Sequence, residues 1–253
     1  MNFSDHLRLI DERSVAFCAA VAAAPSLDVW VPTCPEWTLF DLARHIGEGR
    51  WAWAATVAAG PDATGKATAS DAPAAPDDRA ALLDWLAAAT HALVSALSEA
   101  GPDRGCWTWW GTSQSPQNCA AVARHQLQQM AVHTYDAQLA IGAVASIPDD
   151  VALDGVEEFV FTCCTGDSWP HKPATIDYHV TDGGSWRLWL LAEGARAARL
   201  PASGATVTDP ADASAAGTAT ELVLFLHGRA PLDSLEVEGD RGVFDLLVAW
   251  EPA

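Results

Sequence analysis

The sequence is poor in lysine and in basic residues as a whole. Lys66 and Lys172 are the only lysines, and 14 Lys and Arg residues stand against 33 Asp and Glu residues, which gives a net charge of −19. Nucleic acids and anionic membrane surfaces repel a chain of this charge. We therefore expect neither a nucleic-acid partner nor a membrane partner.

The sequence also lacks the usual signs of export. Its first residues, MNFSDHLRLIDERS, are charged and amphipathic, whereas a signal peptide places basic residues before an apolar segment. No uninterrupted apolar run approaches the roughly 20 residues of a membrane helix. The six cysteines form no C-x-x-C pair. These features predict a cytoplasmic protein whose thiols stay reduced.

Several motifs of common enzyme classes are missing. The chain has no G-x-S-x-G elbow, which argues against a serine hydrolase. It has no G-x-G-x-x-G segment and no Walker-type loop, which argues against a nucleotide cofactor. The chemistry must come from another arrangement of side chains.

The first part of the chain is predicted to be helical. Apolar residues recur at helical spacing in four long stretches. Thr38 and Asp41 form a variant of the capping box before the second stretch, and Gly101-Pro102 ends the third. We expect a four-helix bundle over residues 1–150. The four predicted helices span about 4–24, 38–59, 79–100 and 116–142.

The pattern changes near residue 150. DGVEEFV predicts another helix, whereas TIDYHVTD and SWRLWLL alternate as strands do and are joined by a turn at residues 182–184. ELVLFLHGR predicts a helix, and the C-terminal segment predicts a short strand and a closing helix. The stretch at 201–219 is of low complexity. The prediction is an α+β protein with a small α/β domain over residues 151–253.

The fourth predicted helix carries polar side chains on one slowly turning stripe. His125, Gln129 and His133 follow one another at steps of four residues. His125 and His133 lie about 12 Å apart along the axis, too far to share one metal ion. His45, on the second helix, offers a ligand from a facing helix. Asp136 supports His133 or is a solvated or structural residue, and we favour the latter.

A tryptophan-rich loop precedes the fourth helix. Trp107 and Trp109 are candidate residues of a substrate or thiol pocket, although tryptophan is equally suited to fill a core. His125 is a further candidate for the pocket. Because Arg124 stands beside it, we expect His125 to be exposed.

Five segments, in order, resemble the mycothiol-dependent maleylpyruvate isomerase family of the DinB-like superfamily. The first is VPTCPEWTLFDLARHIGEGRWAW, which contains His45, and the second is AVHTYDAQLAIG. DGVEEFV, HVTDGGSWRL and ELVLFLHGR resemble segments of the family's C-terminal domain. The resemblance covers nearly the whole chain.

This resemblance implies a DinB-like helical bundle with a divalent metal, usually zinc, and mycothiol as cosubstrate. The family's ligands are His, Glu and His, and they fall on His45, Gln129 and His133. Its C-terminal arginine falls on Arg229, as a catalytic residue that acts on an anionic substrate. The alternative for Arg229 is an arginine favoured by the dipole at a helix end.

Gln129 departs from the family pattern, because it replaces a carboxylate with a neutral amide. The resemblance implies an isomerase or a thiol S-transferase that adds a metal-activated thiolate to a small electrophilic, carboxylate-bearing substrate. Two alternatives remain open: an isomerase or cyclase that uses neither metal nor thiol, and a non-catalytic ligand-binding protein. We expect a monomer or a small homo-oligomer.

Overall fold

The computed structural model describes residues 1–65, 72–181, 183–201 and 209–250. The chain divides into two compact units. The first unit contains residues 1–111 and 117–147, and the second contains residues 112–116 and 148–253. The α+β class predicted from the sequence is confirmed.

The first unit contains the four predicted long helices. Helix α4 begins at Cys119 rather than at Pro116, because the side chain of Asn118 accepts a hydrogen bond from the Ala121 N–H and caps the helix there. The predicted capping box of α2 is confirmed, since Thr38 and Asp41 cap each other's backbone N–H groups. The helices are α1 (Phe3–Ala23), α2 (Leu39–Ala59), α3 (Arg79–Ala100) and α4 (Cys119–Ala140).

Apolar side chains of all four helices form the core of the bundle. Helix α1 packs against α4 and α2 packs against α3. Gly47 allows the close approach of α2 and α3, because a Cβ at this position would lie 1.9 Å from Cζ3 of Trp85. The fully buried side chains of this core include Phe17, Val21, Leu39, Leu42, Leu82 and Leu86.

Helix α3 is long and apolar enough to cross a membrane by length and composition alone. In the fold it is a bundle helix, and Leu82, Leu86, Leu93 and Leu97 are fully buried. Core helices of soluble proteins meet the same criteria, so this property of α3 is weak evidence for a membrane span.

A buried arginine links the four helices. Arg50 on α2 donates hydrogen bonds to the hydroxyl oxygens of Ser14 on α1 and Thr90 on α3, and to the sulfur of Met130 on α4. The Arg50 side chain is almost fully buried, and burial lowers its pKa to about 10. At neutral pH it is therefore a buried cation held by uncharged acceptors.

In its described residues, the second unit has a five-stranded sheet and three α-helices. The strand order is β3-β2-β1-β4-β5, in which β1 and β4 run parallel and the other neighbours run antiparallel. The elements are α5 (Asp149–Thr162), β1 (Ala174–Val180), β2 (Ser185–Leu190), β3 (Arg196–Arg199), β4 (Ala213–Gly217), α6 (Ala219–Leu226), β5 (Glu236–Gly239) and α7 (Gly242–Ala249).

The sequence predicted three of these strands and missed β3 and β4. Strand β4 has the sequence ASAAG and lies at the end of the stretch interpreted as low complexity. Its alanines Ala213 and Ala215 are buried between β1 and β5. Sheet pairing on both sides thus outweighs the low strand propensity of alanine and glycine. Residues 202–208 of that stretch, residues 66–71 of the loop after α2 and Asp182 of the predicted turn lie outside the described residues.

Two polar side-chain contacts are made on the sheet of the second unit. Arg187 and Asp177 face each other across β2 and β1 and form a buried two-pronged ion pair, with N–O distances of 2.6 and 2.7 Å. At the edge strand β3, the side-chain amide of Gln114 pairs with both backbone groups of Ala197. Residues 112–116 of the tryptophan-rich loop therefore belong to the second unit.

Candidate functional site

The loop before α2 is held in a compact turn by its own backbone. The Val31 N–H donates to the Trp37 carbonyl, the Cys34 N–H donates to the Val31 carbonyl, and the Trp37 N–H donates to the Cys34 carbonyl. Glu36 adopts a left-handed conformation with φ of 75°. These contacts give Thr33 and Cys34 a defined position beside α4.

Asp136 on α4 is the centre of the candidate site. Its carboxylate has no exposed surface, and the side chains that contact it include those of Thr33, Cys34 and His133. The Thr33 hydroxyl donates to Oδ1 at 2.6 Å, the Cys34 thiol lies 3.6 Å from Oδ2, and Nδ1 of His133 lies 2.9 Å from Oδ2. Of the two interpretations favoured for Asp136, the solvated residue is wrong, because the turn before α2 covers it, and the structural hydrogen bonder agrees with these contacts.

His45 and His133 lie close together, as their positions on facing helices predicted. Their ring centroids are 5.5 Å apart, in an edge-to-face arrangement. His133 is buried whereas His45 is exposed. Trp37 packs against His45, with 4.8 Å between the two ring centroids. The site thus has a buried end at Asp136 and a solvent-facing end at His45.

Gln129 lies one helical turn before His133 on α4 and is half-buried. Its amide offers a neutral oxygen where the resemblance implies a carboxylate. The assignment of His45, Gln129 and His133 as metal ligands stays a prediction.

The side chains at this site fit a divalent metal. Ligand atoms of Cys34, His133 and Asp136 all lie within 4.8 Å of one another, which is close enough for one ion to contact all three. When Nε2 of His133 holds the ion instead, the contact of Nδ1 with Asp136 is the usual arrangement around a metal-binding histidine. Both ligand sets, with His45 and Gln129 or with Cys34 and Asp136, contain His133.

The tryptophan-rich loop packs against α2 and α4 within the first unit. Trp110 and Trp109 lie 5.0 and 5.6 Å from the ring of His125, and Trp107 lies 6.3 Å from Trp53. The expectation that His125 is exposed is wrong, since the indole rings around it leave 6% of the residue accessible. Trp109 is half exposed. A role of Trp107, Trp109 and His125 in a substrate or thiol pocket stays a prediction.

Arg229 belongs to the second unit and follows helix α6. Gly228 has φ of 71°, and the Arg229 N–H donates to the Leu224 carbonyl, as at a typical helix end. The guanidinium donates to the His227 carbonyl at 2.7 Å. This contact agrees with the helix-end interpretation of Arg229, and the catalytic role stays a prediction.

Sequence reasoning missed Thr33 and Cys34 as members of the site. Both residues stand in the VPTCPEW segment, and Asp136 follows His133 by three residues, which places the two on one face of α4. The signal for their meeting is weak, because nothing in the sequence says that the turn before α2 folds back onto α4.

Comparisons with known proteins agree on one family. A model described as the mycothiol maleylpyruvate isomerase N-terminal domain matches residues 7–138, and a model described as the MDMPI C-terminal domain matches residues 150–246. No curated protein matches the chain.

Solved structures match along nearly the whole chain. A crystal structure of the mycothiol-dependent maleylpyruvate isomerase is 12% identical, with a TM-score of 0.62, and the match covers 94% of this chain and 93% of that one. A histidine-to-alanine mutant of that isomerase gives a TM-score of 0.58 at the same identity and coverage. At this identity the likeness shows a shared fold.

Proposed function

This chain belongs to the mycothiol-dependent maleylpyruvate isomerase family, and on that premise we propose that it is a mycothiol-dependent isomerase or thiol S-transferase. The substrate is a small electrophile that bears a carboxylate. In the isomerase, the thiol sulfur adds to a carbon of a double bond, the adduct rotates, and elimination returns the thiol. In the transferase, the adduct is the product.

The contact between His133 and Asp136 is the observation that best supports the proposal. The Asp136 carboxylate fixes the plane of the His133 ring in a buried position, and His45 stands beside it at the solvent-facing end. Such a ring offers a nitrogen lone pair in a constant direction. His45, Gln129 and His133 would hold the metal according to the resemblance, with zinc as the ion. Bound there, the metal would lower the pKa of a thiol so that it reacts as the thiolate.

The remaining parts of the proposal concern the substrate and the setting. The resemblance gives Arg229 the role of pairing with the substrate carboxylate, for which a planar guanidinium is suited. Trp107, Trp109 and His125 provide an aromatic wall for the thiol or the substrate. The protein acts in the cytoplasm on small molecules, as a monomer or a small homo-oligomer.

The test combines metal content with turnover. We expect about one zinc per chain by elemental analysis of the native protein, and none in His133→Ala. With maleylpyruvate and mycothiol, the native protein is expected to produce the trans isomer, seen in the coupling constants of the vinyl protons. Omission of mycothiol should abolish the reaction.

Other results would favour the alternative functions. Turnover that persists with a chelator and without any thiol would indicate a metal- and thiol-independent isomerase or cyclase. A ligand that binds and is recovered unchanged, with no turnover of any electrophile in the presence of mycothiol and zinc, would indicate a binding protein.

A further inference from the structure

We infer that Cys34, His133 and Asp136 hold the divalent metal in this chain, so that Cys34 and Asp136 supply the negative charge that Gln129 lacks. The inference rests on the proposed function only in requiring that the protein binds a metal. It assigns the ion to the buried end of the site, in place of the ligand set of His45, Gln129 and His133 that the resemblance implies.

The contacts around Oδ2 of Asp136 carry the geometric argument. The Cys34 thiol and Nδ1 of His133 both lie against this single oxygen, at 3.6 and 2.9 Å. These three atoms are good zinc ligands, and their mutual distances are within 4.8 Å. A cation placed between these atoms would therefore find sulfur, nitrogen and oxygen on three sides.

The second carboxylate oxygen is held separately. Oδ1 of Asp136 accepts the hydroxyl hydrogen bond of Thr33 at 2.6 Å. This contact leaves Oδ2 for the ion and fixes the rotation of the carboxylate. Ligand carboxylates with an outer hydrogen-bond partner are characteristic of metal sites.

Charge favours this set over the set with Gln129. Asp136 and His133 are buried and Cys34 is half-buried. A divalent ion among His45, Gln129 and His133 would keep its full charge of +2, since all three ligands are neutral, and only the water at this solvent-facing end of the site would stabilise that charge. Thiolate and carboxylate ligands together neutralise the ion.

The binding step is balanced by the loss of one proton. The Cys34 sulfur forms its bond to the ion as the S–H bond breaks, and the proton leaves to solvent. The Nδ1 proton of His133 moves to Nε2 by exchange with solvent, so the ring stays neutral and its Nδ1 lone pair faces the ion. No oxidant or reductant takes part.

Cobalt(II) provides the first test, because a thiolate ligand gives it an intense near-ultraviolet charge-transfer absorption. We expect this band when cobalt(II) is added to the metal-free native protein. It should disappear in Cys34→Ser and persist in Cys18→Ser, a matched control at a half-buried thiol of α1. Cobalt(II) binding without the band in the native protein would overturn the inference.

The second test uses zinc affinity, measured by competition with a chromophoric chelator. We expect Cys34→Ser to weaken zinc binding at least about tenfold, since it removes an anionic ligand. Gln129→Glu should change the affinity less than about threefold, because residue 129 does not contact the ion. A strong gain of affinity in Gln129→Glu, with no loss in Cys34→Ser, would place the ion on His45, Gln129 and His133 and overturn the inference.

These tests separate the inference from the proposed function. Mycothiol-dependent turnover by a native protein without the charge-transfer band would overturn the assignment of Cys34 and leave the isomerase intact. The band without turnover of maleylpyruvate would support the metal site and count against the isomerase. Absence of cobalt and zinc binding in the native protein would overturn the inference.

Discussion

Asp136 is a buried carboxylate, and its contribution to the free energy of unfolding can be measured in the metal-free protein. In metal-free protein it contacts Thr33, Cys34 and His133, and these contacts join the turn before α2 to α4. We expect Asp136→Asn to lower the free energy of unfolding by about 1–3 kcal/mol, because a charge-assisted hydrogen-bond set becomes a neutral, partly mismatched one. Urea denaturation at pH 7 measures this change.

Asp103→Asn is the matched control for that experiment, since the same substitution at an exposed aspartate should change the stability by less than about 0.5 kcal/mol. Equal stability of the native protein and Asp136→Asn would show that the contacts around Asp136 contribute nothing to the fold.

At the scale of single residues, the sequence predicted which side chains lie near each other better than it predicted which are buried. Helical spacing and the family resemblance pointed to His45 and His133, which do lie near each other. The burial of His125 was predicted wrongly and that of Asp136 was left open, because burial at these positions depends on the tryptophan-rich loop and on the turn before α2. Irregular segments of this kind have no periodicity from which their packing follows.

At the scale of elements, periodicity and caps predicted the long helices well. All four bundle helices are confirmed, and the Thr38 cap fixes the start of α2. Strands β3 (RAAR) and β4 (ASAAG) were missed, since they contain no β-branched or aromatic residue and their formation depends on pairing with distant segments. Local propensity therefore predicts the bundle better than the sheet.

Arg50 gives an element-scale prediction, because it contacts all three other helices of the bundle. Its charge is costly in the core, whereas its volume fills space. We expect Arg50→Met to change the free energy of unfolding by less than about 1 kcal/mol or to raise it, since methionine fills much of the volume without the charge. Arg50→Ala should lower it by about 3 kcal/mol through the cavity left behind.

Urea denaturation of the two Arg50 variants distinguishes volume from hydrogen bonding. The prediction would be contradicted if Arg50→Met lost as much stability as Arg50→Ala. In that case the hydrogen bonds to Ser14, Thr90 and Met130 would be the main contribution of Arg50 to the bundle.

At the scale of the whole molecule, the stability of both units depends on pH through buried thiols and a buried phenol that are protonated at neutral pH. Burial raises the pKa of Cys106 in the first unit and of Cys164 in the second to about 12, and it raises the pKa of Tyr178 well above its ordinary value. Unfolding exposes these groups and returns their pKa values to about 8.5 for cysteine and 10 for tyrosine.

The sign of the resulting pH dependence follows from proton binding. Because the folded state holds these protons more tightly, their contribution to stability is complete below about pH 8.5 and declines as the pH rises toward 12. We therefore expect the free energy of unfolding to fall steadily between pH 9 and pH 11, measured by urea denaturation under a reducing agent. Cys164→Ala should flatten the slope in that range, since it removes one of the linked groups. A native stability that stays constant up to pH 11 would mean that these thiols and the phenol ionise inside the fold as readily as in water.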